Sequence, residues 1–176
     1  FPRLSGRVNW NGPGGLVVNA NASHSRRATH FSDDEQRDVL GGVDLFRDYD
    51  NRDRGYGYEL GGDVTLPLAG GQLKLVGLER FNHNRGRADV LFDYVDDAPS
   101  DGNRFASVSN SGERVGRAEY SWPMLGGTFQ LDAEAAFNRL DRTASLFVLD
   151  SGGQLDEIAF PGGSGGVTED RYETIL

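Results

Sequence analysis

Between residues 56 and 66 the chain alternates without a break. Tyr56, Tyr58, Leu60, Gly62, Val64 and Leu66 share one parity, and Gly57, Glu59, Gly61, Asp63 and Thr65 take the other. A period of two places the two sets on opposite faces of a β-strand, one apolar with aromatics at its start, the other carrying carboxylates, glycines and a hydroxyl. Ten steps of roughly 3.3 Å tilted by about 40° climb about 25 Å, the height of the apolar band on a membrane β-barrel.

The same parity returns further along. Phe129, Leu131, Ala133, Ala135 and Phe137 oppose Gln130, Asp132, Glu134, Ala136 and Asn138. Gly116, Ala118, Tyr120 and Trp122 oppose Arg117, Glu119 and Ser121, and Leu16, Val18, Ala20 and Ala22 oppose Val17, Asn19, Asn21 and Ser23, with Val17 out of pattern. A soluble sandwich would have to bury Asp132 and Glu134, at a cost that a water-filled lumen avoids. Residues 73–81 cannot be oriented, because Leu73 and Leu75 share one parity while Val76 and Leu78 take the other.

Short turns are predicted near 11–15, 67–71 and 123–127, where Gly and Pro interrupt the alternation. Long polar loops are predicted near 30–55, 85–112 and 142–168. Short turns at one end and long loops at the other are the asymmetry of a bacterial outer-membrane barrel. The Gly-Gly pairs of the turns begin at 14, 70 and 126, 56 residues apart in each case, a repeat of hairpin architecture without a matching repeat of sequence. The fold class expected is therefore all-β, with about seven antiparallel up-and-down strands, the last starting near Arg171, forming an open segment of a transmembrane β-barrel across residues 1–176. Seven strands do not close a bacterial single-chain barrel. Phe1 in place of Met and a stop inside a strand at Leu176 read as truncations.

Trp10 and Trp122 both fall at the short-turn end, Tyr120 precedes Trp122 on the same parity, and Tyr56 and Tyr58 open the cleanest strand. Amphipathic rings in such places form membrane-interface girdles, so Trp10, Trp122, Tyr56, Tyr58 and Tyr120 are the candidate girdle.

Composition fits this picture. Gly contributes 25 of 176 residues, about twice the usual share, and mean hydropathy is −0.52, too polar for an ordinary soluble core of this length. No stretch is long and apolar enough for a membrane helix and none has the build of a signal peptide, neither of which bears on barrel strands. A net charge of −9 argues against a nucleic-acid partner. Cys is absent, which removes disulfides, zinc ribbons and thiol nucleophiles.

The remaining chemistry is thin. Asp48, Asp50 and Glu59 match positions 1, 3 and 12 of an EF-hand, but Arg52 and Asp53 stand where an acceptor and the turn Gly are required. The acids between 32 and 54 read as a solvated external loop, and Val39, Leu40, Val43, Leu45 and Phe46 within it suggest that it folds on itself or packs on a neighbour. Gly162-Gly163-Ser164-Gly165-Gly166 lacks the Lys and Ser/Thr of a phosphate loop and reads as a connector. Gly55-x-Gly57 precedes a strand rather than a helix, His24, His30 and His83 lack metal-ligand spacing, and Asp96-Asp97 offers no acid-base geometry. No enzyme activity, metal or cofactor is expected.

The chain resembles the barrel of a TonB-dependent outer-membrane receptor. The resemblance rests on the run from Tyr58-Glu59-Leu60-Gly61-Gly62-Asp63-Val64-Thr65-Leu66-Pro67-Leu68 through Gly70-Gly71 to Leu73-Lys74-Leu75, on Ala133-Glu134-Ala135-Ala136-Phe137-Asn138, and on Arg171-Tyr172-Glu173. It implies a 22-stranded barrel with a plug domain in its lumen, placed in the bacterial outer membrane among its lipid. It also implies import of a scarce ligand such as an iron-siderophore, driven through the TonB complex. The inner wall would carry Glu59, Asp63, Arg117, Glu119, Asp132 and Glu134. Two other readings stay open: another outer-membrane barrel, either a porin or an export and assembly channel, or a soluble exported β-sheet binding module. The last requires Leu60, Val64, Leu131 and Ala135 to pack against a second layer.

Overall fold

A computed structural model of the chain describes residues 2–96, 98–150, 152–161 and 165–176. Asp97 and most of the glycine connector, 162–164, lie outside the described residues. The rest is one sheet. Its strands are β1 (Arg3–Asn11), β2 (Val17–Arg37), β3 (Leu45–Leu68), β4 (Gly71–Tyr94), β5 (Asp101–Met124), β6 (Gly127–Leu149), β7 (Leu155–Ile158) and β8 (Gly166–Ile175). All pairings are antiparallel, β1 to β7 lie in chain order, and β8 pairs with β6 below the short β7. The expected seven strands correspond to β1–β6 and β8. The last begins at Gly166 rather than near Arg171, and β7 is an addition that four residues without clear alternation did not announce.

Two of the short turns have the same backbone. Ala69 and Gly70 have φ of 48° and 82°, and Leu125 and Gly126 have φ of 52° and 80°. Positive φ at both central residues is the type I′ hairpin, whose twist matches that of the strands it joins. The third, between β1 and β2, is wider and contains a single 3₁₀ turn, Pro13–Gly15.

The long loops predicted near 30–55, 85–112 and 142–168 are a correction. β2 and β3 pair continuously up to Arg37 and Leu45, β4 and β5 up to Phe92 and Asp101, and β6 runs to Leu149. What remains of these segments outside the strands is residues 38–44, 95–100, 150–154 and 159–165. The physical reason is that the polarity of the two parities changes over along each strand, so the pattern of 56–66 does not continue into these charge-rich extensions although the backbone ladder does. β3, β4 and β5 each have 24 residues. At roughly 3.3 Å per residue that is about 80 Å of strand, more than twice what a bilayer needs. Within 38–44 the loop closes through polar bonds, Gly42 N–H to Val39 O at 3.0 Å and Val39 N–H to Asp44 Oδ1 at 2.9 Å. Its apolar side chains do not pack, and Leu40 is fully exposed.

No hydrophobic side chain among the described residues is buried. Leu60 is 49% exposed and Leu131 64%, so the second layer that a soluble sandwich requires does not cover them. The ladder carries the fold.

Ala69 and Leu125 hold a left-handed conformation that disfavours a Cβ by about 1–2 kcal/mol, and Asn tolerates it better. Ala69→Asn and Leu125→Asn are each expected to stabilise the chain by about 0.5–1 kcal/mol in urea titration, whereas Gly70→Val and Gly126→Val are expected to destabilise it by more than about 1 kcal/mol.

Candidate functional site

Antiparallel partners share a face, so the register assembles the single-strand patterns into surfaces. On one face Val64 stands beside Val18 and Leu75, then Ala118 and Ala133. Leu66, Leu73, Tyr120 and Leu131 form the row toward the short turns. Gly62, Ala20, Gly77, Gly116 and Ala135 form the row on the other side. This Leu60 face is a continuous apolar band. It settles the strand that could not be oriented: Leu73 and Leu75 belong to the band, and Val76 and Leu78 point the opposite way.

Two aromatic rows border the band. Near the short turns Tyr120 stacks on Trp122 at 5.2 Å between centroids and Trp122 on Phe129 at 6.1 Å. The Tyr120 hydroxyl donates to Leu68 O at 3.0 Å. Trp10, level with Val18, lays its ring over Gly12 toward the same end. Toward the long ends Tyr58 stacks on Phe81 at 5.6 Å, and Tyr56 lies 6.1 Å from Phe81 and 5.1 Å from His83. Phe137 meets Tyr172 at 4.7 Å. All five candidate girdle residues thus lie in these rows, Trp10, Tyr120 and Trp122 in one, Tyr56 and Tyr58 in the other. Sequence reasoning did not select Phe81, Phe137 and Tyr172, which only the cross-strand register places beside them.

The opposite, Asp63 face is polar at the same height. Asn19 Nδ2 donates to both Asp63 oxygens at 3.0 Å, Arg80 donates to Glu59 at 2.8 Å and reaches Glu113 at 3.9 Å. Arg117 lies 3.0 Å from Glu119 and 3.8 Å from Asp132. Glu134 stands beside Arg117 in the β5–β6 register. The six residues expected on an inner wall share this face. Several of its charges are paired with neighbours on the same or the adjacent strand.

Higher up the polarity inverts. The Asp63 face there carries Phe31 and Tyr49, 6.0 Å apart with the Arg47 guanidinium 5.3 Å over the Tyr49 ring, together with Val90, Phe92, Phe105 and Leu146. The Leu60 face carries Arg52, Arg87, Asp89 and Arg104 instead. The EF-hand resemblance dissolves here, because Asp48 and Asp50 lie on one face of β3 and Glu59 on the other. Among the described residues no group of three or more acids and histidines is placed to hold a metal ion.

No family model matches the chain, and no curated protein matches it either.

Asp50 accepts a hydrogen bond from His30 Nε2 at 2.5 Å and pairs with Arg52 at 2.8 Å. The His30 bond, followed by Arg52, holds the Asp50 carboxyl below the usual aspartate range. A depressed folded value means that this contact contributes stability above the ordinary aspartate pKa and loses it as pH falls through the lower one. An NMR titration of the side-chain carboxyls is expected to show Asp50 protonating after the bulk of the aspartates. Protonation together with them would contradict the contact.

Proposed function

We propose that this sheet is a section of the wall of a bacterial outer-membrane β-barrel, and that the barrel is a receptor that imports a scarce ligand in the manner of TonB-dependent receptors. One observation carries the membrane half: a band of apolar side chains without a covering layer, bordered on both sides by aromatic rows and backed by a charged face. Lipid is the solvent that suits the first, interfacial headgroups suit the second, and a hydrated lumen suits the third. Trp10, Tyr120 and Trp122 then form the girdle at the short-turn, periplasmic side, and Tyr56 and Tyr58 the girdle at the outer side.

The receptor half draws on the height of the wall. Five strands of 21 to 24 residues rise well beyond a bilayer, and their upper inner surface offers Phe31, Tyr49, Phe92 and Phe105 for first contact with an incoming solute. The plug and the TonB complex belong to this proposal through the resemblance in strand and turn style. Edge strands β1 and β8 each present a row of backbone donors and acceptors, which hydrocarbon cannot satisfy and further barrel strands would.

Spin labels at Leu60, Val64, Leu131 and Ala135 are expected to meet oxygen and be shielded from a polar nickel chelate when the protein is reconstituted in vesicles. Labels at Asp63, Asp132 and Glu134 should show the reverse, and equal access on both faces would remove the membrane reading. Val64→Arg is expected to destabilise the lipid-inserted protein by about 2–4 kcal/mol, with a much smaller effect for Ala136→Arg. Transport is checked with ferric siderophores in energised cells: uptake abolished by a protonophore supports energy-coupled import, and protonophore-insensitive diffusion of small solutes assigns the barrel to passive pores.

A further inference from the structure

Eight arginines lie on the Leu60 face, and five of them are neutralised within the sheet. Arg52 pairs with Asp50, Arg87 and Arg104 with Asp89, Arg114 with Glu79 and Arg139 with Asp170. The other three, Arg26, Arg54 and Arg85, have no carboxylate within ion-pair distance among the described residues, and they are neighbours. Arg54 stands directly opposite Arg85 in the β3–β4 register, and Arg26 stands opposite Tyr56 in the β2–β3 register. Like charges set face to face across a ladder destabilise it. The arrangement is therefore costly unless an anion from outside completes it.

The position of the patch says which anion. It begins at the row of Tyr56, immediately beyond the outer aromatic border of the apolar band, and lines a shallow depression of about 620 Å³ with His24, Tyr56 and His83. A ligand seated there with its anionic group among the guanidinium groups has the apolar band directly below it, through Tyr58 and Leu60 to Val64. A free phosphate makes no use of that continuity. A lipid does, because its acyl chains lie along the band while its phosphate meets the arginines. Guanidinium groups bind phosphate oxygens through paired, charge-assisted hydrogen bonds, and the two histidines add donors.

We propose that Arg26, Arg54 and Arg85, with His24 and His83, form a docking site for the phosphate of an anionic lipid headgroup at the outer rim of the apolar band. This rests on the membrane reading above. The site orders an annular lipid against β2–β4 and fixes the height of these strands in the bilayer. Each arginine near an anionic membrane surface contributes a modest attraction, so the three together give selectivity rather than tight capture.

The test uses the full protein in phosphatidylcholine vesicles with trace spin-labelled phosphatidylglycerol or spin-labelled phosphatidylcholine, read as the motionally restricted lipid fraction. The unaltered protein is expected to prefer the phosphatidylglycerol probe by about threefold or more. The Arg26→Gln/Arg54→Gln/Arg85→Gln variant is expected to bring that preference close to one. Arg3→Gln/Arg7→Gln/Arg142→Gln, which removes the same charge from the opposite face and lies outside the depression, is expected to leave it unchanged. Equal loss in both triple variants means a general charge effect and overturns the site, as does unchanged preference in the first. If the triple variant does not assemble, the three single Gln variants replace it, each expected to lose part of the preference and the corresponding Lys variants to keep most of it. The two readings fail differently: no restricted lipid with any probe removes the membrane reading and the site with it, whereas a restricted but unselective shell removes the site alone.

Discussion

A sheet with no side-chain layer on either face depends on its backbone ladder for integrity and on the register of that ladder for meaning. Sliding one strand by a single residue would turn its whole apolar set to the other side. Here the pairing from β2 to β5 runs without interruption over roughly twenty residues per strand, so that one offset per strand pair decides every neighbour from the short turns to the long ends. The type I′ turns at Ala69-Gly70 and Leu125-Gly126 impose that offset on two hairpins. Left-handed conformations at Ala69 and Leu125 are tolerated because the turn type that avoids them would splay the strands.

The inversion of polarity along the strands follows from what surrounds each stretch. In the lower half one face is apolar and the other charged, as the proposed wall between two different solvents requires. In the upper half Arg54, Arg87 and Arg104 occupy the face that Leu60 and Val64 occupy below, while Phe31, Tyr49 and Phe105 occupy the other. On the proposed reading the upper half stands in water on both sides and needs no apolar face toward lipid, which frees its side chains for ion pairs such as Arg104 with Asp89 and for ring contacts such as Phe31 with Tyr49.

This explains which parts were legible in the sequence. Residues 56–66 and 129–137 were readable because each strand there keeps one apolar and one polar face, so that every second residue reports on the same face. The long segments near 30–55, 85–112 and 142–168 were not, because the apolar parity switches sides along each strand and the charge density rises, so these stretches resemble loops while their hydrogen bonds continue. Residues 73–81 failed for a different reason. Leu78 lies on the polar face and Glu79 on the apolar one, and only the partnership of Leu75 with Val64 reveals which parity is which. The girdle residues were legible singly, from Trp and Tyr near turns and strand starts. Their grouping with Phe81, Phe137 and Tyr172 was not, since no sequence pattern states which residues of separate strands stand side by side.

Among the described residues Glu79 and Arg114 are the innermost charges on the face of the band, and their setting shows how its height is limited. They share a row with Leu60, Phe137 and, on β8, Tyr172, one step below Tyr58 and Phe81. Glu79 is held from two sides, by the Tyr58 hydroxyl at 3.0 Å and by Arg114 at 3.2 Å. An isolated carboxylate on a lipid-facing strand would be expensive, whereas one bonded to both a phenol and a guanidinium whose long stem can reach toward headgroups is much less so. The pair therefore belongs at the edge of an apolar region rather than in its middle. From that row outward the face carries Arg139 paired with Asp170, then Arg26 and Asp141, then Arg54 and Arg85, while inward it carries no charge among the described residues as far as the short turns. On the membrane reading proposed above, a single face that is uncharged at one end and charged at the other, with its unpaired arginines on β2 to β4, has one favourable depth in a bilayer, and a shift in either direction moves charge into hydrocarbon or leucine into water.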